Sequence, residues 1–233
     1  MKKAIVTGAS SGIGYAITQR LLEMGYKVLG ISKSIQDYTI ENKNFKALCV
    51  DLSKEKEVLQ LCQMLKDEKD IYILVNCAGF GAFAPHEELS AKTIIEMNFL
   101  NLTAPMLLTN ATLRSLKTSG GYLININSIE ALRVSKFSGV YSASKAGLKA
   151  FGDVLFEETR RSDLSITNIN PDMTQSNFYD ALRFDVSKKE DEKLLVSDIA
   201  DAVEHILNMR KGAVVSEYTI RSLHFGIEKK PKK

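Results

Sequence analysis

The order in which short apolar runs and helical patterns alternate, beginning within the first ten residues, restricts the fold most. Ala4-Ile5-Val6 is a short apolar run, and residues 14–24 carry Ile17, Leu21 and Leu22 on one helical face. Gly25 follows in the position favoured for a C-terminal cap. Strand-like runs recur at 27–31, 46–50, 71–75, 121–127, 165–170 and 213–218, with helical patterns at 54–69, 89–116, 140–161 and 198–209. Nearly unbroken apolar runs such as Ile71-Tyr72-Ile73-Leu74-Val75 suit parallel strands covered on both faces. The repeated β-α-β order predicts an α/β fold, a doubly wound parallel sheet with helices on both sides. Ligands of such sheets bind beyond the carboxyl ends of the strands, here after Val6, Ile31, Val50, Val75, Asn127 and Asn170.

Length and composition narrow this further. With 233 residues, 45% hydrophobic and 25% charged, the chain can bury one sizeable core, and no linker divides it. One domain over residues 1–233 is expected. Residues 172–196 are polar, with a charged run from Ser187 to Lys193, and are expected to cover the strand ends as a mobile lid. No window approaches about 18 uninterrupted apolar residues, and only three apolar residues precede the first turn, so a cytoplasmic protein without membrane contact is expected.

The net charge of +3 belongs to the end of the chain: without Lys229, Lys230, Lys232 and Lys233 the balance is −1. A solvated, frayed basic tail over 229–233 is expected, and no nucleic-acid surface. Cys49, Cys62 and Cys77 lack CxxC spacing, and His86, His205 and His224 form no HxxxH pair, so neither a disulfide framework nor a metal site is signalled.

After the first strand runs Thr7-Gly8-Ala9-Ser10-Ser11-Gly12-Ile13-Gly14. Glycines there allow a sharp turn and close backbone approach to a diphosphate at the next helix N-terminus. Asp51-Leu52 follows the third strand and Asn76-Cys77-Ala78-Gly79 the fourth. Ser128 ends the fifth, and Tyr141-Ser142-Ala143-Ser144-Lys145 begins thirteen residues later. Together these resemble the short-chain dehydrogenase/reductase superfamily: TGxxxGxG is matched in full, NNAG with Cys77 for the second asparagine, and YxxxK in full. The likeness extends over about residues 3–218 and implies a Rossmann-like fold.

Tyr141 and Lys145 are four residues apart and share one face of a helix. A neighbouring ammonium favours phenolate, so the Tyr141 pKa is expected to fall towards neutrality, where it can give a proton to an alkoxide or take one from an alcohol. Ser128 can donate a hydrogen bond to a carbonyl oxygen as charge develops there. The resemblance implies that Lys145 also binds the nicotinamide ribose. It further implies that Asn98 holds a relay water, with Asn101 the competing candidate and otherwise a helix-surface residue.

By the same resemblance Gly8, Ser10, Ser11, Gly12, Ile13 and Gly14 cradle the dinucleotide. Asp51, where family members hold the adenine, Leu52, Asn76, Ala78, Gly79 and Pro171 are also implied to bind the cofactor, and Ser176 aligns with the hydroxyl residue that contacts the nicotinamide carboxamide, for which Thr174 could substitute. The second strand ends Gly30-Ile31-Ser32-Lys33-Ser34 without an acid, where Ser32 and Lys33 suit a 2′-phosphate. NADP(H) is therefore expected over NAD(H), although Ser11 stands where many NADP enzymes carry a basic residue. Asp172 replaces the family's glycine after proline; it is expected to tolerate unusual backbone angles, or alternatively to repel acidic substrates.

The expected function is an NADP(H)-dependent oxidoreductase interconverting a ketone or aldehyde and its alcohol, with a small-molecule substrate. A 3-oxoacyl compound is one option, and Tyr218-Thr219-Ile220-Arg221 resembles broad-specificity members. The alternatives are a catalytically silent dinucleotide-binding sensor and a nucleotide-sugar epimerase; the latter usually carries a longer C-terminal domain. Family members form homodimers or homotetramers, and Val140, Ala143, Ala146, Gly147 and Ala150 leave the Tyr141 helix small enough for close packing.

Overall fold

The computed structural model describes residues 1–34 and 40–231. Six strands, β1 (Lys3–Thr7), β2 (Lys27–Ser32), β3 (Phe45–Cys49), β4 (Ile71–Asn76), β5 (Tyr122–Ile126) and β6 (Ser165–Pro171), are joined by β8 (Glu217–Ile220) in one sheet. The order is β3-β2-β1-β4-β5-β6-β8, and every pairing in it is parallel. The helices are α1 (Gly12–Glu23), α2 (Glu55–Lys66), α3 (Ala91–Asn98), α4 (Ala104–Ser119), α5 (Gly139–Thr159) and α6 (Val196–Leu207).

The core lies in two layers, as a parallel sheet covered on both faces requires. Val6, Val75 and Ile124 pack with Ile17 and Leu21 of α1 and Ile199 and Val203 of α6. Ile5, Leu74 and Leu123 pack on the other side with Val58 and Leu61 of α2 and Leu108 and Leu116 of α4. Burying one such leucine or isoleucine contributes about 1.5–3 kcal/mol. The strand order reverses between β1 and β4, where a crevice opens beyond the strand ends.

Four expectations change. The helix expected over 89–116 is interrupted by a π-helical turn, Phe99–Thr103, between α3 and α4; the wider turn shifts the face on which the following residues lie. Helix α6 begins at Val196 rather than 198, because the Asp198 carboxylate accepts from Leu195 N–H (2.8 Å) and caps the earlier turn. The strand expected over 213–218 begins at Glu217; before it, Thr167 Oγ1 donates to the Val215 carbonyl and ladder pairing starts at Asn168↔Glu217.

The fourth change concerns segment 172–196 and the basic tail. The segment contains a three-residue strand, β7 (Phe184–Val186), paired antiparallel with β9 (Ile227–Lys229). Lys230 is fixed as well: its N–H donates to the Arg183 carbonyl, and its ammonium reaches the Tyr179 carbonyl (2.5 Å) and Asp185 (3.1 Å). Tail residues 229 and 230 are thus held rather than frayed; Lys232 and Lys233 lie outside the described residues. No described helix is long and apolar enough to cross a membrane.

Candidate active site

The glycine turn is held by contacts that a side chain would break. Gly8 and Gly12 have φ of +71° and +55°, and a Cβ on Gly14 would lie 2.2 Å from the Gly8 oxygen. A Cβ on Gly8 would come 3.0 Å from Ala78 Cα. Thr7, absent from the sequence-derived site, fixes this approach: its hydroxyl accepts from the N–H groups of Cys77 (2.9 Å) and Ala78 (3.0 Å). Ser11 caps α1 without a side-chain bond, so the first-turn N–H groups of Gly12, Ile13 and Gly14 face the crevice, a geometry suited to a diphosphate.

At the end of β2 three hydroxyls gather: Ser10 Oγ lies 2.7 Å from Ser32 Oγ and 3.4 Å from Ser34 Oγ. Lys33 stands between the latter two, and its charge bears on Asp51. Burial pushes the Asp51 carboxyl up, but Ser53 and the ammonium groups of Lys33 and Lys54 outweigh it and hold the pKa below its ordinary value. Leu52 is buried in the core on the α2 side, which leaves only its backbone to meet a ligand. The Asn76 side chain likewise points inward, donating to Asn125 Oδ1 (3.0 Å) and Thr109 Oγ1 (3.3 Å).

These features fit a dinucleotide: a cradle that only glycine can line, a helix start facing it, and hydroxyls with a cation where the adenosine end would lie. At the opposite end Ser176 packs against Gly12, 3.2 Å from where a Cβ would stand. Thr174 is buried and donates to the Asp172 carbonyl (2.9 Å), so Ser176 is the more open hydroxyl.

Ser128, Tyr141 and Lys145 come together at the tip of β5. Ser128 caps a 3₁₀ turn over Ile129–Ala131, accepting from Glu130 N–H (3.1 Å), and its hydroxyl lies close enough to the Tyr141 phenol to influence its titration. Lys145 is 4% exposed and donates to the Ile126 carbonyl at 2.9 Å. The expected fall of the Tyr141 pKa is corrected. Burial pushes it up to about 12, the Ser128 hydrogen bond opposes this, and the negative charge of Glu130 adds to the rise. Burial also lowers Lys145 to about 8. The Cys77 thiol rises to about 12 through burial, partly offset by Lys145, and stays neutral.

The π-helical turn decides between the two asparagines. Asn98 donates to the Ile94 carbonyl of its own helix (2.9 Å). Asn101, fully buried, clamps the Phe80 backbone: its Oδ1 accepts from Phe80 N–H (3.1 Å) and its Nδ2 donates to Phe80 O (2.9 Å). Asn101 Nδ2 also donates to Ser144 Oγ (3.1 Å), and a Cβ on Gly79 would lie 3.0 Å from Asn101 Oδ1 and 3.5 Å from Lys145 Nζ. Asn101, three residues on from Asn98, is therefore the asparagine placed beside Gly79, Phe80 and Lys145.

Tyr141 opens onto a cleft of about 830 Å³. Five rings form a closed circuit along it. Tyr141 meets Phe83 (centroids 5.2 Å apart) and Phe178 (5.8 Å), Phe83 meets Phe184 (5.3 Å), and Tyr179 meets Phe178 (5.2 Å) and Phe184 (5.9 Å). Phe178, Tyr179 and Phe184 are close in sequence, but Phe83 and Tyr141 are remote from them and from each other, and only the fold brings the five together. Pro171 also lines the cleft.

Asp172 takes no left-handed angle, since Phe137 alone among the described non-glycine residues has positive φ (+66°). The Asp172 carboxylate accepts from Met173 N–H (3.0 Å) and Arg221 (3.1 Å), with Arg133 3.7 Å away, so its charge is countered. Glu130, also buried, binds Arg133 (2.8 Å), Ser135 and Ser142.

The family model for short chain dehydrogenase matches residues 2–186. An uncharacterized oxidoreductase of Staphylococcus saprophyticus is 33% identical, over 94% of this chain and 97% of its own length. One of Staphylococcus aureus is 32% identical over 94% and 96%. Among solved structures, an alcohol dehydrogenase from the archaeon Thermococcus sibiricus complexed with 5-hydroxy-NADP superposes with a TM-score of 0.85 at 27% identity, each chain covered in full. A 4-hydroxyisoleucine dehydrogenase complexed with NADH shares the fold at 24% identity and a TM-score of 0.83, over 95% and 98% of the two chains. The chain belongs to the short-chain dehydrogenase/reductase family of oxidoreductases.

Proposed function

We propose that the protein is an NADP(H)-dependent carbonyl reductase that interconverts a ketone or aldehyde and its alcohol, with Tyr141 as general acid/base. The observation that carries this reading is the meeting of Ser128 and Tyr141 in the wall of the cleft, with Lys145 buried one helical turn on from Tyr141. The bound dinucleotide supplies the hydride. Ser128 donates to the substrate oxygen and stabilises its developing charge, while Tyr141 gives that oxygen its proton. Lys145 in its ammonium form then stabilises the phenolate left behind, until a solvent proton restores the phenol. A phenol pushed up to about 12 by burial is neutral at physiological pH and so carries the proton that reduction requires. Asn101 acts by holding the Gly79–Phe80 backbone beside Lys145.

The hydroxyls of Ser10, Ser32 and Ser34, with Lys33, support NADP(H) over NAD(H), because a 2′-phosphate needs donors and a cation there. A homodimer or homotetramer is supported by the exposed Ile95, Met106 and Val154 on α3, α4 and α5. Gly147, in contrast, is occupied within the chain, since its Cβ would meet Leu102 at 3.0 Å. Following NADPH fluorescence while a panel of ketones and aldehydes is added tests the proposal: oxidation with one class supports it. Silence across the panel in protein that binds NADPH favours the sensor.

A further inference from the structure

The cleft combines an apolar interior with a cationic mouth. Beyond the five-ring circuit its apolar wall runs outward through Ile227 and Phe225, which are 46% and 60% exposed. Inside, both carboxylates are paired, Glu130 with Arg133 and Asp172 with Arg221, which weakens their opposition to an incoming anion. At the mouth the balance is different. Lys136, Arg183 and Lys229 line the cleft and make no ion pair among the described residues, against one exposed acid, Glu88. Lys229 pairs in register with Phe184, a member of the ring circuit, and Arg183 directly precedes Phe184, which places two cations next to the rings.

We propose that the substrate is an amphipathic carbonyl compound, with an aromatic or extended apolar body against the ring circuit and an anionic group held at the mouth by Arg183 and Lys229. This rests on the reductase reading and names its substrate class. The rings favour the apolar body through area removed from water. The cations select for charge: a neutral analogue gains the same apolar contact and forgoes the ion pairs. Two solvent-exposed ion pairs predict a preference of about tenfold, weakened by salt.

The test is isothermal titration of protein saturated with NADP⁺, using 4-phenylbutyrate and its neutral isostere 4-phenylbutanamide. Neither is reducible, so affinity is read independently of turnover. The carboxylate is expected to bind about tenfold more tightly, with the gap closing in the Arg183→Ala/Lys229→Ala double variant while amide affinity stays unchanged. Amide binding also reports that the variant is folded. Equal affinities, a gap that survives the double substitution, or no binding of either compound would overturn the proposal. Failure of the reductase reading looks different: 4-phenylbutan-2-one would then not be reduced, while the carboxylate preference persisted.

Discussion

Lys145 donates to the carbonyl oxygen of Ile126 across 2.9 Å, tying the first half of α5 to the last residue of β5. Because the same burial lowers Lys145 to about 8, its charge titrates within the working range of an enzyme. Below about pH 8 the ammonium is present and stabilises the phenolate left by proton donation; above it that support is lost. The rate of reduction is expected to decline above about pH 8. Lys145→Arg is expected to move that limb upward by more than one pH unit, as a kcat/KM profile would register. In stability terms the folded state binds fewer protons than the unfolded between about 8 and 10.5, so Lys145 makes unfolding more costly as pH rises through that window.

Cofactor choice depends on Lys33 and its flanking serines. Lys33→Glu places a carboxylate beside the Ser10–Ser32 hydroxyls, where it repels a 2′-phosphate and can bind ribose hydroxyls. The NADPH/NADH affinity ratio, read by fluorescence titration, is expected to fall at least tenfold. An unchanged ratio would remove Lys33 from the site.

Asn101 and Asn98 are separated by three residues and by very different consequences. Asn101→Ala leaves the Phe80 N–H and carbonyl without their partner, a loss of about 1–3 kcal/mol, and frees the segment beside Lys145. A drop of more than tenfold in kcat and a lower Tm are expected. Asn98→Ala removes one bond to its own helix, and both quantities are expected to stay near wild type.

Gly152 tests how tightly α5 lies on the sheet. An alanine Cβ there would stand 2.5 Å from Asn168 Oδ1, which accepts from Asn125 and Asn127, while Asn168 Nδ2 binds Lys149 O and Asp153 of α5. Alanine gains about 1 kcal/mol of helix propensity, but overpacking costs about 1–3 kcal/mol. Gly152→Ala is therefore expected to lower Tm by a few degrees in calorimetry, against the usual effect of glycine-to-alanine in a helix.

The parts of the fold legible in the sequence are those encoded locally. Strands β1, β4 and β5 are buried on both faces and read as apolar runs, and the turn from Gly8 to Gly14 carries its own conformational requirement. β7 and β9 are three residues each, Phe-Asp-Val and Ile-Glu-Lys, and exist because segments some forty residues apart meet. Both asparagines were visible, and family spacing favoured Asn98; the π-helical turn between them, which alters the phase of the helix, was not visible. The direction of the Tyr141 shift escaped for a related reason. Lys145 is visible four residues away, but the burial that dominates comes from remote chain such as Phe83 and Phe178.

The central claim is that Tyr141 transfers the proton during carbonyl reduction. Its most direct test is the steady-state rate of NADPH oxidation by wild type and Tyr141→Phe with a reducible carbonyl, alongside NADPH affinity by fluorescence. The account predicts a rate loss of about 100-fold or more, in line with the contribution of a positioned general acid, with affinity within about threefold of wild type. Turnover undiminished in Tyr141→Phe would contradict it.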